Sequence, residues 1–471
     1  MKLAICASNP DGKLPEAVAV IRVEALMAWQ RQILAAAVLS AACATTPTDA
    51  PPPAAAPPTA TQDLMTSIAD RYVSLVLALG VHDADYVDAY YGPPEKRAEA
   101  QALKLPLPQI REAAAGLITS LEASPPAGGE MDVLRHRYLK GQLQALVARV
   151  DMLSGVKMTF DEESRALYDA VSPKHDVGDF RPILEELDGL LPGPGPLIDR
   201  YTAFRAGFAI PTDRLDAVFT AAIAECRRRT LPHVSLPAGE TFTVEYVTGK
   251  SWSAYNWYQG GFRSVIQVNT DLPVAIDRAI DLACHEGYPG HHVYNALLEK
   301  HLVKERGWPE FTVYPLFSPQ SLIAEGTANY GIEVAFPDDE RLAFERDRLY
   351  PLAGLDPGRA AEYDRVRRLV ERLTYAGNEA ARLYLEGRTD TAGAAAWLEE
   401  YALMPPDRAR QRVRFFDQYR SYVINYNLGQ DLVRAYVESR GGTPDHPEVR
   451  WKEFTKLLAS PRLPGGLAPT S

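Results

Sequence analysis

His285–His292 read H-E-G-Y-P-G-H-H. The opening His-Glu is half of the pattern H-E-x-x-H, in which two imidazoles one helical turn apart bind zinc and the glutamate between them acts as a base. Here Pro289 occupies the place of the second histidine, and the next imidazoles are His291 and His292. On a straight helix the sixth residue after His285 lies roughly 120° off its face, and the seventh sits about 10.5 Å further along the axis. Neither can share an ion with His285 unless the helix is interrupted. Pro289 has no N–H to give the carbonyl of His285, and its ring collides with that carbonyl. Gly290 then permits a turn that other residues resist. The Pro-Gly pair therefore encodes a bulge, of the kind that clusters at functional sites. Looping out two residues carries His291 to the position of the second ligand. The sequence leaves the register open between His291 and His292, with His291 favoured and His292 expected to stand behind the ligands or to face substrate.

A catalytic zinc takes three protein ligands and keeps one position free. Leu322–Glu333 read L-I-A-E-G-T-A-N-Y-G-I-E, a helical stretch with Glu325 set among apolar residues. A carboxylate there is costly to bury unless it is paired or holds a metal. His285, His291 and Glu325 give two imidazoles and one carboxylate, and Glu286 is the candidate general base. A purely structural site would have no use for Glu286. On the same helix Asn329 and Glu333 are candidates for orienting the ligands. Cys284, directly before His285, reads as a core residue.

The rest of the chain sets the context. It has 471 residues, 24% charged and 46% hydrophobic, with a net charge of −11. That balance argues against nucleic acid or an anionic membrane surface as a partner, since both call for a basic face. The four cysteines form no C-x-x-C pair, so neither a thiolate zinc site nor a disulfide scaffold is indicated. An arginine followed by an apolar run from Ile33 to Ala42 and then small residues has the layout of a secretory signal. The run is much shorter than the roughly 20 residues that span a bilayer. Residues 1–46 are therefore an extension plus an export signal, with Met27 the expected true start. Membrane contact is expected only through a lipid anchor at Cys43, and lipidation and plain cleavage after Ala44 both remain open. Residues 47–61 form a Pro/Ala tether.

Residues 62–460 read as one mainly helical domain, followed by a tail, 461–471. Helical periodicity covers 62–80, 107–124, 130–155, a short stretch around 184–190, and 213–230. It returns at 274–288, 291–305, 317–335, 339–352, 357–386, 390–402, 407–440 and 447–459. Between these blocks, 240–269 is rich in Thr, Val, Tyr and Trp and reads as strands, a small antiparallel sheet just before the His motif.

H-E-G-Y-P-G-H-H and E-G-T-A-N-Y-G-I-E together resemble the signature of the bacterial "domain of unknown function 885" family, H-E-x-x-P-G-H-H with an E-G-W-A-L-Y-like stretch. Looser matches fall at 79–86 and 426–429, and the resemblance covers roughly 62–460. Thr327 and Asn329 depart from the pattern, standing where an aromatic and a leucine are usual. That family is similar to helical zinc peptidases of the thimet oligopeptidase, angiotensin-converting enzyme and thermostable carboxypeptidase type. The resemblance implies a large multi-helix metallopeptidase-like fold, one zinc ion per chain on His285, His291 and Glu325, and Glu286 as base. It also implies a tyrosine that stabilises the oxyanion, with Tyr426 first and Tyr422, four residues earlier, second; the competing reading is that both simply pack. Arg420 is a candidate to hold a substrate carboxylate, or else a surface ion pair. The strand 262–269 is either an edge that binds an extended peptide or part of a closed sheet.

Three functions follow. The first is an exported zinc peptidase that cleaves short peptides in the bacterial envelope. The second is a metal hydrolase of another amide or ester. The third is a non-catalytic envelope lipoprotein with a structural metal.

Overall fold

The computed structural model describes residues 20–22, 60–126, 128–250 and 252–467. The export signal, Cys43 and the tether up to residue 59 lie outside the described residues. The protein is mainly α-helical. The helices that build the site are α1 (Ala60–His82), α2 (Glu130–Leu153), α3 (Phe160–Tyr168), α4 (Leu215–Thr230), α5 (Asp277–Leu282), α6 (His291–Leu298), α7 (Pro319–Ala335), α8 (Pro406–Tyr419) and α9 (Ile424–Glu438). The strands are β1 (Val20–Arg22), β2 (Val87–Tyr90), β3 (Thr241–Val247), β4 (Ala254–Gly260), β5 (Arg263–Asn269) and β6 (Val313–Pro315). By length and composition α1 is apolar enough to cross a membrane, but half of that stretch is buried inside the protein. Ile68, Tyr72, Val76 and Leu79 form its inward stripe, which makes it a core helix.

The sheet differs from the antiparallel one expected. Its order is β1-β3-β5-β4, and β3 runs parallel to β5 while β4–β5 and β1–β3 are antiparallel. The hairpin β4–β5 turns through Gly261 and Phe262, both with positive φ (62° and 61°), as a two-residue hairpin loop with the sheet's own twist requires. β5 carries Ser264, Ile266 and Val268 on its buried face and takes the middle position. Along the other edge of β5, β3 pairs in parallel. This decides between the two readings of 262–269: it is an interior strand, and β4 is the outer one. A second pair, β2 with β6, was not legible in the sequence.

Two expected helices are broken. The stretch 357–386 divides into Ala360–Glu371 and Ala376–Leu385. The stretch 407–440 divides into α8 and α9 at Arg420, whose φ is +52°. The cause is Glu163 of α3, buried to 1%, which accepts from Arg420 Nε (2.6 Å), Ser421 N (3.0 Å) and Ser421 Oγ (2.6 Å). With its N–H taken by a carboxylate, Ser421 cannot continue the ladder. In the expected C-terminal tail, Leu467 is buried.

α7 and α9 cross at glycine. A Cβ on Gly429 would lie 2.8 Å from the carbonyl oxygen of Leu322 and 3.0 Å from Cα of Gly326. Only two glycines allow this approach, and it brings Glu325 and Asn329 of α7 against the tyrosines at the start of α9.

Candidate metal centre

The His motif is an interrupted helix. After α5 the chain opens into one wide turn, Ala283–Gly287, closed by Tyr288 N to Ala283 O (3.2 Å). Gly290 N then reaches back to Cys284 O (2.9 Å), and α6 starts at His291. A side chain on Gly290 would collide with the carbonyl oxygens of Cys284 and His285. The bulge read from Pro-Gly is present, and it places His291 Nε2 3.1 Å from His285 Nε2. Glu325 Oε2 lies 3.3 Å from His285 Nε2 and 3.7 Å from His291 Nε2.

This triangle fits a metal. Tetrahedral zinc at about 2.0–2.1 Å from each donor has donor–donor edges of about 3.3–3.4 Å. The tautomer fits as well. Asn329 Nδ2 donates to the carbonyl of Tyr426 (2.9 Å), so its Oδ1 faces His285 Nδ1 (2.8 Å) and must accept. The Nδ1 of His285 therefore carries a proton, and Nε2 points a lone pair into the triangle. Glu325 Oε1 accepts from the Tyr422 hydroxyl (2.8 Å), while buried Oε2 has no hydrogen-bond partner. Lone pairs facing a carboxylate repel unless a proton or a cation sits among them. Burial would raise the Glu325 carboxyl, but His285 and His291 hold it far below its usual range. Burial would lower His285, and the two carboxylates Glu325 and Glu286 raise it instead. His285, His291 and Glu325 can thus hold a metal ion, with Asn329 and Tyr422 fixing their orientation.

Asn329→Leu removes the acceptor from His285 Nδ1. It is expected to weaken metal binding by about 10–100-fold with the fold intact, measured by competition with a chelator. Unchanged affinity would show that Asn329 does not set the imidazole.

The triad lines a cleft of about 1280 Å³. Glu286, 5% exposed, also lines it, and no described side chain hydrogen-bonds its carboxylate. Asn256 Nδ2 of β4 pins the Glu286 main-chain carbonyl (2.7 Å). The ring of Tyr426 stands edge-on to Tyr422, with centroids 5.8 Å apart. Burial first, then Glu325, keeps the Tyr426 hydroxyl protonated far above its usual range. That hydroxyl makes no hydrogen bond to a described residue, so it is free to donate, whereas that of Tyr422 is spent on Glu325. Tyr422 is therefore a positioning residue and not the free donor named as second choice.

For two candidate substrate contacts the structure takes the alternative reading, and the substrate-binding reading is corrected. His292 is 0% exposed and faces away from the cleft. Its Nε2 donates to Glu240 (2.9 Å) and its Nδ1 accepts from Ser264 (2.9 Å), so it pins α6 to the sheet. Glu240 also accepts from Tyr288 (2.6 Å) and Arg227 (2.8 Å). Arg420 is committed to Glu163 and does not line the cleft. Glu333 pairs with Arg434, not with a metal ligand.

The sequence reading missed Tyr314, Tyr255 and Arg412 in the cleft wall. Tyr314 and Tyr255 belong to no motif. Arg412 had a signal: it follows Ala409 by three positions and precedes Phe416 by four, in the buried stripe of α8.

Comparison by sequence finds no matching family model and no matching curated protein. The resemblance to the family named above thus stands on its quoted motifs. Similar solved structures include a candidate lipoprotein from Colwellia psychrerythraea (16% identity, covering 79% of this chain and 75% of that chain, TM-score 0.49). Others are a candidate lipoprotein of unknown function from Shewanella oneidensis (12%, 85% and 84%, 0.41) and Trypanosoma cruzi metallocarboxypeptidase 1 (13%, 84% and 88%, 0.43).

Proposed function

We propose that this chain is an exported zinc-dependent peptidase acting on short peptides. The observation that carries the reading is the convergence of His285, His291 and Glu325 on one point, with the unpaired carboxylate of Glu286 beside them in a cleft. Two imidazoles and a carboxylate suit zinc, which supplies Lewis acidity toward a carbonyl and toward water. The chain's own groups do the rest. The outer strand β4, with Ala254 and Tyr255 on the cleft, receives an extended peptide by strand addition. The Glu286 carboxylate takes a proton from the attacking water and returns it to the leaving amine. The Tyr426 hydroxyl donates to the carbonyl oxygen as negative charge grows there.

The test is metal content together with hydrolysis of a mixed pool of di- and oligopeptides. Stoichiometric zinc with cleavage is expected. Full zinc with no cleavage of any short peptide would favour a structural metal or another amide or ester substrate. For export, intact mass of the native protein should show a chain starting at Cys43 or Thr45; retention of residues 27–46 would contradict it.

A further inference from the structure

Two neighbouring arginines on one helix of the cleft wall have no carboxylate partner among the described residues. Arg408 and Arg412 stand one turn apart on α8, and both line the cleft. Five other cleft arginines are ion-paired: Arg278 with Asp281, Arg341 with Glu345, Arg367 and Arg368 with Asp364, and Arg434 with Glu333. Among the described residues Arg408 hydrogen-bonds to Gln411 Oε1 alone (3.3 Å). Arg412 makes no hydrogen bond to a described residue, and its Nε is buried without a partner. Its Cζ lies 4.7 Å from the ring centroid of Phe415 and 5.8 Å from that of Tyr426. Burial pushes Arg412 below its ordinary value, with only Tyr426 opposing. Burial and the like charges of Arg205 and Arg278 push Arg408 the same way.

An uncompensated guanidinium in a partly desolvated wall is unfavourable in the free protein and becomes favourable when an anion arrives. The two rings within cation–π reach limit where the Arg412 guanidinium can lie before a ligand binds. Tyr426 joins this group to the reacting centre. Its ring faces Arg412, its main-chain carbonyl holds Asn329, and it lies within electrostatic reach of Glu325 and Glu286.

We propose that Arg412, backed by Arg408, is the specificity-determining residue of the cleft and binds a carboxylate of the substrate. The source is the C-terminal α-carboxylate of a short peptide or an acidic side chain, and the two bind the guanidinium by the same chemistry. The proposal deepens the peptidase reading and rests on it for the ligand class.

The test is equilibrium binding, which needs no turnover, by calorimetry in the Glu286→Gln background. The probes are Ala-Ala-Phe, its C-terminal amide, and Ala-Glu-Phe amide. With Arg412 present, a peptide bearing the recognised carboxylate is expected to bind about ten- to a hundredfold tighter than Ala-Ala-Phe amide. Preference for the free acid identifies the C terminus, and preference for the glutamate peptide identifies a side chain. Arg412→Gln should erase the preference, and Arg412→Lys, which keeps the charge without the fork, should restore part of it. Equal binding of all three peptides by both proteins, or no binding of any, overturns the proposal. An Arg412-dependent preference in a protein whose wild type cleaves no peptide would leave this assignment standing and remove the peptidase reading. Peptide cleavage without such a preference would do the reverse.

Discussion

Glu286→Gln is expected to keep its metal and its melting temperature while peptide hydrolysis falls at least about a hundredfold. Glutamine preserves the size of the side chain and its capacity to hydrogen-bond but cannot accept a proton from water. The structure gives reasons to expect a clean loss. The Glu286 carboxylate has no hydrogen-bond partner among the described residues, so no ion pair is broken by the change. Its backbone is held independently, through Asn256, so the wide turn that presents His285 should survive. A fall in activity with metal content and unfolding midpoint unchanged would identify the base. A glutamine variant as active as wild type would mean that the proton goes elsewhere.

The second large effect separates neighbours in sequence. His291→Ala should abolish tight metal binding, a greater loss than the about 10–100-fold that outer contacts of a metal site cost. His292→Ala should leave one metal per chain but destabilise the fold by about 1–3 kcal/mol, because the buried Ser264 hydroxyl loses its partner and Glu240 keeps only Tyr288 and Arg227. Metal analysis and urea unfolding read the two outcomes separately. Metal lost in the 292 variant and kept in the 291 variant would place the register of the bulge one residue later.

That register shows what local sequence can and cannot say. Pro289-Gly290 interrupts a helix for reasons internal to the chain, so the bulge and the convergence of His285 with His291 were legible. Glu325 was legible because a carboxylate among apolar residues needs a partner. His292 was misread because its partners, Glu240 and Ser264, come from β3's approach and β5, far away in sequence. Arg420 was left open between substrate and ion pair for the same reason. Glu163, distant in the chain, both breaks the helix there and claims the guanidinium. The order of the sheet was hidden too, since alternation marks strands but not which strand is central. The two roles of Tyr422 and Tyr426 depend on the glycine crossing of α7 and α9, where each glycine matters only because the other faces it.

The measurement that bears most directly on the central claim is an anomalous-difference map at the zinc edge from crystals of the zinc-loaded protein. The account predicts one peak per chain, about 2.0–2.2 Å from His285 Nε2, His291 Nε2 and Glu325 Oε2. No peak there in protein that has taken up zinc, or a peak coordinated by His292 or by the sulfur of Cys284, would contradict it.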